Sequence, residues 1–247
     1  MKALILCAGY GTRLGELTKE IPKPMLPLNG IPMLSYILSN CKLNGFTDIA
    51  INLHFRPEII TEYFGDGSKF GLSIQYFYED RLLGTAGSVR NMRSFLGETP
   101  EFLVHYGDIV TDQNFSKMCA FHKSKPDALA TLLVHSRPNS NSIVIIDRTQ
   151  KITGFVERPT DEERKQFNST FVNSGVAIFN RNIIDHIGND AVDLPKDIYC
   201  KLFRDYNLYA YQLESFRSAI DSPERYHAAE DALLTGRCAS KPLSIIK

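Results

Sequence analysis

A glycine-rich segment and a lysine between two prolines are the residues of this sequence best suited to bind a phosphate chain. The glycine-rich segment, Leu6–Leu14, reads L-C-A-G-Y-G-T-R-L, and the second segment, Pro22–Pro27, reads P-K-P-M-L-P. Glycines directly after a strand let backbone N–H groups approach phosphate oxygens closely. Arg13 offers these oxygens a planar fork, and Lys23 offers a compact charge on a backbone that the flanking prolines restrict. These residues therefore favour a polyphosphate as ligand.

Two common phosphate-binding loops do not fit this glycine-rich segment. A Walker A loop needs Gly-Lys followed by Ser or Thr, and the segment contains no such step. A dinucleotide-binding fingerprint needs a third small residue at position 14, where this chain has Leu14. From spacing alone, an ordinary strand–turn–helix with two solvated cations stays open as the structural alternative.

The composition excludes several classes of protein. The chain has 247 residues, 28 basic and 28 acidic side chains and 43% hydrophobic residues, which is typical of a globular protein. Balanced charge argues against a strongly basic nucleic-acid-binding surface, and no apolar run approaches the ~18–20 residues that span a bilayer. The five cysteines form no C-x-x-C pair, so we expect reduced thiols. These features predict a soluble cytoplasmic protein that binds neither nucleic acid nor membrane.

Short apolar runs alternate with segments of helical spacing along most of the chain. Ala3–Cys7 is typical of a buried parallel strand, and Met33–Asn44 places apolar residues at helical spacing. Further predicted strands are Asp48–Leu53, Leu72–Tyr78, Glu101–His105, Ala128–His135, Ser142–Ile146, Lys151–Val156 and Phe171–Phe179, and further predicted helices are Pro57–Phe64 and Arg225–Thr235. This alternation predicts an α/β fold, namely a Rossmann-like three-layer α/β/α sandwich with a mostly parallel mixed sheet.

The predicted sheet also indicates where a ligand binds. In such sheets ligands bind beyond the carboxyl ends of the strands, where the glycine-rich segment and the aspartate motif described below lie. The chain shows no clean linker, so we predict a single domain over residues 1–247. It also lacks hexapeptide repeats, so we expect no C-terminal β-helix.

In its two opening motifs the sequence resembles the sugar nucleotidyltransferase family. The family signature, roughly G-x-G-T-R-L and then P-K-P-M-L-P, is matched almost letter for letter by Gly9–Leu14 and Pro22–Pro27. Members join a nucleoside triphosphate to a sugar 1-phosphate and release pyrophosphate. The resemblance therefore implies these two substrates and catalytic roles for Arg13 and Lys23. It also implies nucleotide contacts at Leu6, Ala8, Gly9, Gly11 and Thr12.

A second glycine-containing segment, Leu83–Gly87, resembles the family's L-G-T-A-G, which lies against the base and ribose. The resemblance implies nucleotide contacts at Gly84, Thr85 and Gly87. This version of the segment is most typical of members that transfer guanylyl groups to manno-configured sugars, so it favours GTP. A plain strand-to-helix turn is the structural alternative.

Two aspartates are candidate magnesium ligands. The run Y-G-D at Asp108 resembles the family's N-G-D, whose aspartate binds the metal, and a carboxylate at a strand end is a hard ligand suited to Mg²⁺. Near the carboxyl end the family commonly has W-x-D-I-G-T-P-E-x-Y, whose aspartate is the second ligand. This chain has Ala219 at that aspartate position and Asp221 at the glycine position. We predict that Asp221 supplies or water-bridges the metal; capping roles are the alternatives for both aspartates.

Two further segments resemble the part of the family that holds the sugar phosphate. Phe155–Pro159 is similar to F-x-E-K-P, with Arg158 in the lysine position. The resemblance implies that Glu157 accepts hydrogen bonds from sugar hydroxyls and that Arg158 contacts the sugar phosphate. The run N-S-G at Asn173 resembles N-A-G, whose asparagine holds a sugar hydroxyl. Plain strand sequence is the alternative for both segments.

Together these motifs predict an enzyme that transfers a nucleoside monophosphate, preferentially from GTP, to manno-heptose or mannose 1-phosphate. Short guanylyl-transferring relatives often act on heptose 1-phosphates in surface polysaccharide synthesis. Uridylyl or cytidylyl transfer to another sugar or alcohol phosphate stays open. A catalytically impaired, nucleotide-sugar-binding regulatory subunit also stays open because of Ala219. A homo-oligomer stays open as well. The enzyme prediction requires Arg13 and Lys23 to point toward the side of the molecule that holds Asp108.

Overall fold

The computed structural model describes residues 1–167 and 169–245. Its strands are β1 Lys2–Leu6, β2 Pro27–Leu28, β3 Ile31–Pro32, β4 Asp48–Leu53, β5 Ser73–Tyr78, β6 Glu101–Tyr106, β7 Ile109–Thr111, β8 Ala128–Ser136, β9 Ser142–Ile146, β10 Ile152–Glu157, β11 Phe171–Asn180, β12 Asn207–Gln212 and β13 Arg217–Ala219. Its α-helices are α1 Met33–Leu43, α2 Pro57–Phe64, α3 Gly84–Asn91, α4 Arg93–Leu96, α5 Phe115–Ser124, α6 Asp161–Gln166, α7 Cys200–Leu202 and α8 Pro223–Leu234.

Seven of these strands form one mixed sheet in the order β12-β8-β11-β6-β1-β4-β5. β4 runs parallel to both β1 and β5, and β12 runs parallel to β8, whereas β11 is antiparallel to β8. Parallel neighbours need long crossover connections. The connection from β1 to β4 contains α1, and the connection from β4 to β5 contains α2. The predicted mixed, mostly parallel sheet is therefore confirmed.

The chain divides into two compact units, and each is assembled from separate stretches of sequence. The first contains Met1–Leu82, His105–Phe115 and the chain from Glu214 onward. The second contains Leu83–Val104 and Ser116–Leu213. No single break in the sequence separates the units, which is consistent with the missing linker. That one domain covers residues 1–247 stays a prediction.

The first unit is built on β1 and β4, which are almost wholly apolar. Ala3, Leu4 and Ile5 have no exposed surface, and the apolar residues of β4 are equally buried. Burial on both faces explains why these strands read as continuous apolar runs rather than as alternating patterns. Glycine-containing and charged segments begin directly after both β1 and β6, which places the chemistry-bearing side chains at strand ends.

The second unit is built on the antiparallel pair of β8 and β11. In its core, the rings of Phe102 and Phe179 pack edge to face with centroids 5.7 Å apart. β9 and β10, both predicted as strands, form a separate hairpin in which Ile143 lies opposite Val156. Across the residues that the structure describes, none of the helices combines the length and apolar character needed to span a membrane.

Candidate active site

The glycine turn after β1 lies open at Gly9. Leu6 ends β1, and the next two residues, Cys7 and Ala8, are buried. A Cβ placed on Gly9 would have no described atom beyond its chain neighbours within 4 Å, and its φ is not positive. Neither packing nor backbone strain therefore requires glycine at this position. A ligand would need such open space to contact the backbone of the turn.

Gly11 links the glycine turn to Lys23. Its φ is +70°, in the left-handed region, and its carbonyl accepts hydrogen bonds from the Leu14 N–H and the Thr18 hydroxyl, both at 3.0 Å. A Cβ at Gly11 would lie 3.1 Å from the Cβ of Lys23. The turn, with Thr12 and Arg13 beginning a 3₁₀ helix at Thr12–Thr18, is thus packed directly against the lysine.

A buried polar network holds this turn, and the sequence motifs do not reveal it. The Cys7 N–H donates to Asn52 Oδ1 at 2.7 Å, and Asn52 Nδ2 donates to Glu79 at 2.9 Å. His54 then connects the Glu79 carbonyl, at 2.6 Å, to the hydroxyl of Tyr10, at 2.7 Å. The one signal in the sequence was an asparagine within the apolar run of β4.

The Cys7 thiol in this turn is not a nucleophile. Burial, and then the nearby charge of Asp108, raise the pKa of the thiol far above its ordinary value. Since the thiolate is the reactive form, a buried neutral thiol serves packing only.

Lys23 and Asp108 form the central ion pair of the first unit. Lys23 begins a 3₁₀ turn, Lys23–Met25, after Pro22 in the extended conformation. Its side chain is 10% exposed, and Nζ lies 2.6 Å from Oδ2 of Asp108, whose side chain is 26% exposed. A buried charged side chain is costly unless an opposite charge lies beside it. The pair therefore combines a buried ammonium, held in one orientation, with a partly accessible carboxylate.

Gly107 brings Asp108 to the end of β1. The Gly107 N–H donates to the Leu6 carbonyl at 2.9 Å, and a Cβ on Gly107 would lie only 2.7 Å from that oxygen. A side chain at this position would force the two strand ends apart. The following strand, β7, pairs with β13, and the Ile220 N–H donates to the Asp108 carbonyl at 2.8 Å. The same pairing brings the chain at Asp221 alongside.

Asp221 lies between two arginines. Its Oδ1 accepts from Arg225 at 2.6 Å, and its Oδ2 lies 3.4 Å from Arg13, whose side chain is 66% exposed. The helix-cap alternative for Asp221 is wrong, because the Ser222 hydroxyl caps α8 by accepting from the Arg225 N–H. Both predicted cations thus point to carboxylates at the β7–β13 pair, Lys23 to Asp108 and Arg13 to Asp221.

Asp108 and Asp221 could provide oxygen ligands to a magnesium ion that is also bound by a substrate, if their present partners Lys23, Arg13 and Arg225 gave way. In the described part of the chain, no group of three or more histidine, cysteine, aspartate or glutamate side chains could enclose a metal. Mg²⁺ does not need such a cage, since it is commonly bound by one or two carboxylates, phosphate oxygens and water. Asp108 and Asp221 supply that number of oxygen ligands, whereas Ala219 supplies none.

The second predicted nucleotide segment lies in the second unit, where it begins α3. The φ of Gly84 is +73°, and a Cβ there would lie 2.4 Å from the Val192 carbonyl oxygen. The Thr85 hydroxyl accepts from the Leu194 N–H at 2.7 Å, and a Cβ at Gly87 would lie 2.9 Å from the Leu83 Cβ. This strand-to-helix turn therefore packs closely against Val192–Leu194. The sequence motifs missed that partner segment.

Glu157 ends β10 in the same unit. Burial first, and then the charge of Asp193, raise the pKa of its carboxyl from 4.5 to about 7, and Arg158 opposes this shift. Asp193 belongs to the segment that packs on Thr85. Val192–Leu194 thus contacts the turn at Gly84 and Thr85, and the charge of its Asp193 acts on Glu157.

Arg158 and Asn173 are positioned by the β8–β9 connection. Arg158 has a φ of +52°, rare for a residue with a side chain, and its N–H donates to the Asn141 carbonyl at 2.6 Å. The Asn173 N–H donates to the Ser142 hydroxyl at 2.9 Å, and Asn173 Oδ1 accepts from the Gly175 N–H at 3.2 Å. Since Ser142 pairs with Glu157, the three predicted sugar residues lie around one hairpin.

Comparison with known proteins supports a common family. The nucleotidyl transferase family model matches residues 2–216. The chain is 30% identical over 245 residues to the mannose-1-phosphate guanylyltransferase of Mycobacterium tuberculosis, which covers 98% of this chain and 67% of that protein. It is 34% identical over 219 residues to the UTP–glucose-1-phosphate uridylyltransferase of Synechocystis sp., which covers 82% of this chain and 55% of that protein. The chain thus spans between about half and two thirds of the length of these relatives.

A solved structure shows the same fold. HddC from Yersinia pseudotuberculosis superposes with a TM-score of 0.78 at 22% identity, covering 94% of this chain and 99% of that one. The likeness confirms the predicted Rossmann-like fold class. The match of the family model over residues 2–216 shows that this chain belongs to the nucleotidyl transferase family, as its glycine-rich and proline-flanked motifs predict.

Proposed function

We propose that the protein transfers a nucleoside monophosphate from a nucleoside triphosphate to a sugar 1-phosphate, forming a nucleotide sugar and pyrophosphate. The observation that carries the proposal is the buried Lys23–Asp108 pair, 2.6 Å between charged atoms, packed against the glycine turn. This arrangement combines open backbone, a fixed cation and an accessible carboxylate within one unit. A phosphate chain and a divalent ion together require these features.

The first unit supplies the residues for the triphosphate. Leu6, Ala8, Gly9, Gly11 and Thr12 form the turn whose backbone would line the phosphates. Lys23 is already oriented by Asp108, so little side-chain entropy is lost when a phosphate oxygen approaches. Arg13 is largely exposed, and an exposed ion pair is worth at most about 1 kcal/mol. It can therefore exchange Asp221 for the phosphates of the leaving pyrophosphate.

The reaction that these residues support is in-line attack of a sugar phosphate oxygen on the α-phosphorus of the triphosphate. Both reactants are anions, so positioning and positive charge supply most of the acceleration. A bound Mg²⁺ held by Asp108, with Asp221 directly or through water, would withdraw charge from phosphate oxygens. Lys23 and Arg13 would stabilise the charge that accumulates on the departing pyrophosphate.

The second unit supplies the candidate residues for the nucleoside and the sugar. Gly84, Thr85 and Gly87 form the turn assigned to the base and ribose. Glu157 would accept hydrogen bonds from sugar hydroxyls, and Asn173 would hold a sugar hydroxyl through its amide group. Arg158 would bind the sugar phosphate. Arg158 is already fixed through its backbone, which suits a residue that must meet an anion in one orientation.

We further propose GTP and a mannose or manno-heptose 1-phosphate as substrates. The L-G-T-A-G version of the second turn and the mannose-1-phosphate guanylyltransferase among its relatives support this choice. Uridylyl transfer is the second candidate, because the UTP–glucose-1-phosphate uridylyltransferase relative is 34% identical. The two candidates differ in base and sugar but use the same phosphate chemistry.

Pyrophosphate release tests both levels of the proposal. The purified chain would be incubated with Mg²⁺, each of GTP, UTP, CTP and dTTP, and each of mannose, manno-heptose and glucose 1-phosphates. We expect the fastest release with GTP and a manno-configured phosphate. The fastest release with UTP would move the base assignment to the second candidate. No release with any pair, but thermal stabilisation by a nucleotide sugar, would indicate a regulatory subunit.

A further inference from the structure

A polar groove outside the proposed active-site residues opens beside the β8–β9 connection. It has a volume of about 200 Å³, and its lining includes Arg137, Ser142, Arg164, Phe167, Ser169 and Thr170. Glu157, Arg158 and Asn173 do not line it. The volume corresponds to roughly seven water molecules at ~30 Å³ each, which is smaller than the ~300–1,000 Å³ of pockets for larger ligands.

The groove is built for an anion. Arg137 and Arg164 are its charged residues, and none of the described residues that line it is acidic. Among residues 1–167 and 169–245, neither guanidinium forms an ion pair, whereas Arg13, Arg56 and Arg225 do. The hydroxyl groups of Ser142, Ser169 and Thr170 also line it, and each of them already bonds within the protein. The two unpaired guanidiniums are therefore the groups that would bind a phosphate, through charge-assisted hydrogen bonds.

The groove wall is directly connected to the residues proposed to hold the sugar phosphate. Ser142 lines the groove, and its hydroxyl oxygen accepts the Asn173 N–H at 2.9 Å. The preceding residue, Asn141, accepts the Arg158 N–H at 2.6 Å and so holds that residue in its left-handed conformation. A ligand that orders the connection from Arg137 to Ser142 therefore acts on both neighbours.

We propose that this groove is an effector site for a small phosphate-bearing ligand, which sets the position of Arg158 and Asn173. The ligand is inorganic phosphate or a phosphate ester of a few carbon atoms, because the groove is smaller than the pockets that hold larger ligands. The binding part of the proposal stands on the groove alone. The coupling part rests on the proposed sugar phosphate transfer.

Calorimetry with inorganic phosphate and with glycerol 3-phosphate tests binding. The variant is the double substitution Arg137→Ala/Arg164→Ala. The matched control is Arg148→Ala/Arg181→Ala, two exposed arginines of the same unit that do not line the groove. We expect the groove variant to lose at least tenfold in affinity and the control to stay within twofold. Equal affinity of wild type and groove variant for both probes would overturn the site.

Two further variants keep the result specific. Lys23→Ala should leave the binding of both probes unchanged, since Lys23 belongs to the first unit and does not line the groove. Loss of binding in Lys23→Ala, with binding retained in the groove variant, would place the phosphate in the proposed active site instead. Arg137→Lys/Arg164→Lys should restore part of the affinity if charge matters, and circular dichroism checks that each variant is folded. Preference for glycerol 3-phosphate over phosphate would identify an ester as the ligand.

Kinetics test the coupling separately. In wild type, either bound probe should change the KM for the sugar 1-phosphate at least threefold and leave the KM for the triphosphate unchanged. The groove variant should lack this response, and the control pair should keep it. Binding without any change in KM would overturn the coupling. If no substrate pair turns over at all, the proposed transfer fails, and the calorimetric result still decides the anion site.

Discussion

The two glycine-containing turns assigned to the nucleotide use glycine for different physical reasons. In the second unit, a Cβ on Gly84 would lie 2.4 Å from the Val192 carbonyl oxygen, so the chain's own packing requires glycine. In the first unit, a Cβ on Gly9 would meet nothing within 4 Å among the residues the structure describes. The motifs look alike as sequence, but Gly84 closes on protein and Gly9 opens on space.

The polar side chains of the two turns differ in the same way. Thr85 uses its hydroxyl oxygen to accept the Leu194 N–H at 2.7 Å, so it ties its turn to the fold. Lys23, packed on Gly11, directs its charge at the partly exposed Asp108. We therefore expect substitutions at Gly9 and Lys23 to affect catalysis more than stability, and substitutions at Gly84 and Thr85 to do the reverse.

Lys23→Ala should have the largest effect on turnover. Removal of one group that stabilises charge in the transition state typically costs ~10²–10³ in rate. Because Asp108 remains partly solvated, we expect the melting temperature to fall by less than about 10 °C. Pyrophosphate release and thermal unfolding measure the two effects. Lys19→Ala removes an exposed lysine of the same region and should retain wild-type turnover; equal turnover in Lys23→Ala would refute the catalytic role.

Gly84→Ala should have the largest effect on stability. The new methyl group would overlap the Val192 carbonyl, and the φ of +73° is unfavourable for alanine. Overpacking and the left-handed conformation together should cost about 2–4 kcal/mol in the free energy of unfolding. Denaturant unfolding measures this cost, with Gly188→Ala as the control because its Cβ would meet nothing within 4 Å. A Gly84→Ala protein as stable as the control would show that the turn can move away from Val192.

Gly9→Ala should show the opposite pattern at smaller magnitude. A Cβ there is free of clashes, so the free energy of unfolding should stay within about 1 kcal/mol of wild type. The methyl group would instead occupy the space proposed for phosphate, which should weaken triphosphate binding about tenfold, or ~1.4 kcal/mol. Calorimetry with GTP measures this change. Unchanged affinity, as expected for Gly188→Ala, would mean that the open space at Gly9 is not used.

Much of the fold could be predicted because its central elements are continuously apolar. The strands Asp48–Leu53 and Ser142–Ile146 and the helix Pro57–Phe64 have the predicted bounds. The helix Phe115–Ser124 was missed, although Phe115 and Met118 are buried on one face. The buried face of that helix also carries His122, which bonds to Thr131 at 2.8 Å and makes the pattern look polar.

The site could be predicted where a motif is local and not where distant segments meet. The phosphate turn and Asp108 stand next to strands that are easily recognised. No local pattern reveals that Val192–Leu194 packs on the second turn, or that Asn52 holds the first through the Cys7 N–H. The role of Asp221 stayed open between metal ligand and helix cap for a similar reason, because Asp221 and Ser222 are equally suitable caps and only the fold directs Asp221 toward the arginines.

The smallest expected effect concerns Glu157. Through this carboxyl, the charge of Asp193 in the segment Val192–Leu194 would influence sugar binding. Burial and Asp193 raise the pKa of Glu157 to about 7, so the folded protein binds a proton more tightly than the unfolded chain. This carboxyl's contribution to stability is therefore greatest below its unfolded pKa of 4.5 and is lost as pH rises toward about 7. Glu157→Gln should remove that slope from the pH dependence of unfolding.

The same titration should appear in substrate binding. A carboxylate accepts hydrogen bonds from sugar hydroxyls more strongly than a carboxylic acid, so the KM for the sugar 1-phosphate should fall severalfold as pH rises through about 7. Glu157→Gln should lose this dependence, and what remains reports the substrate's own phosphate. Asp193→Asn keeps the oxygen that accepts the Lys196 N–H but removes the charge, so it should move the transition to lower pH. If the dependence of KM on pH were identical in wild type and both variants, the segment Val192–Leu194 would have no influence on sugar binding.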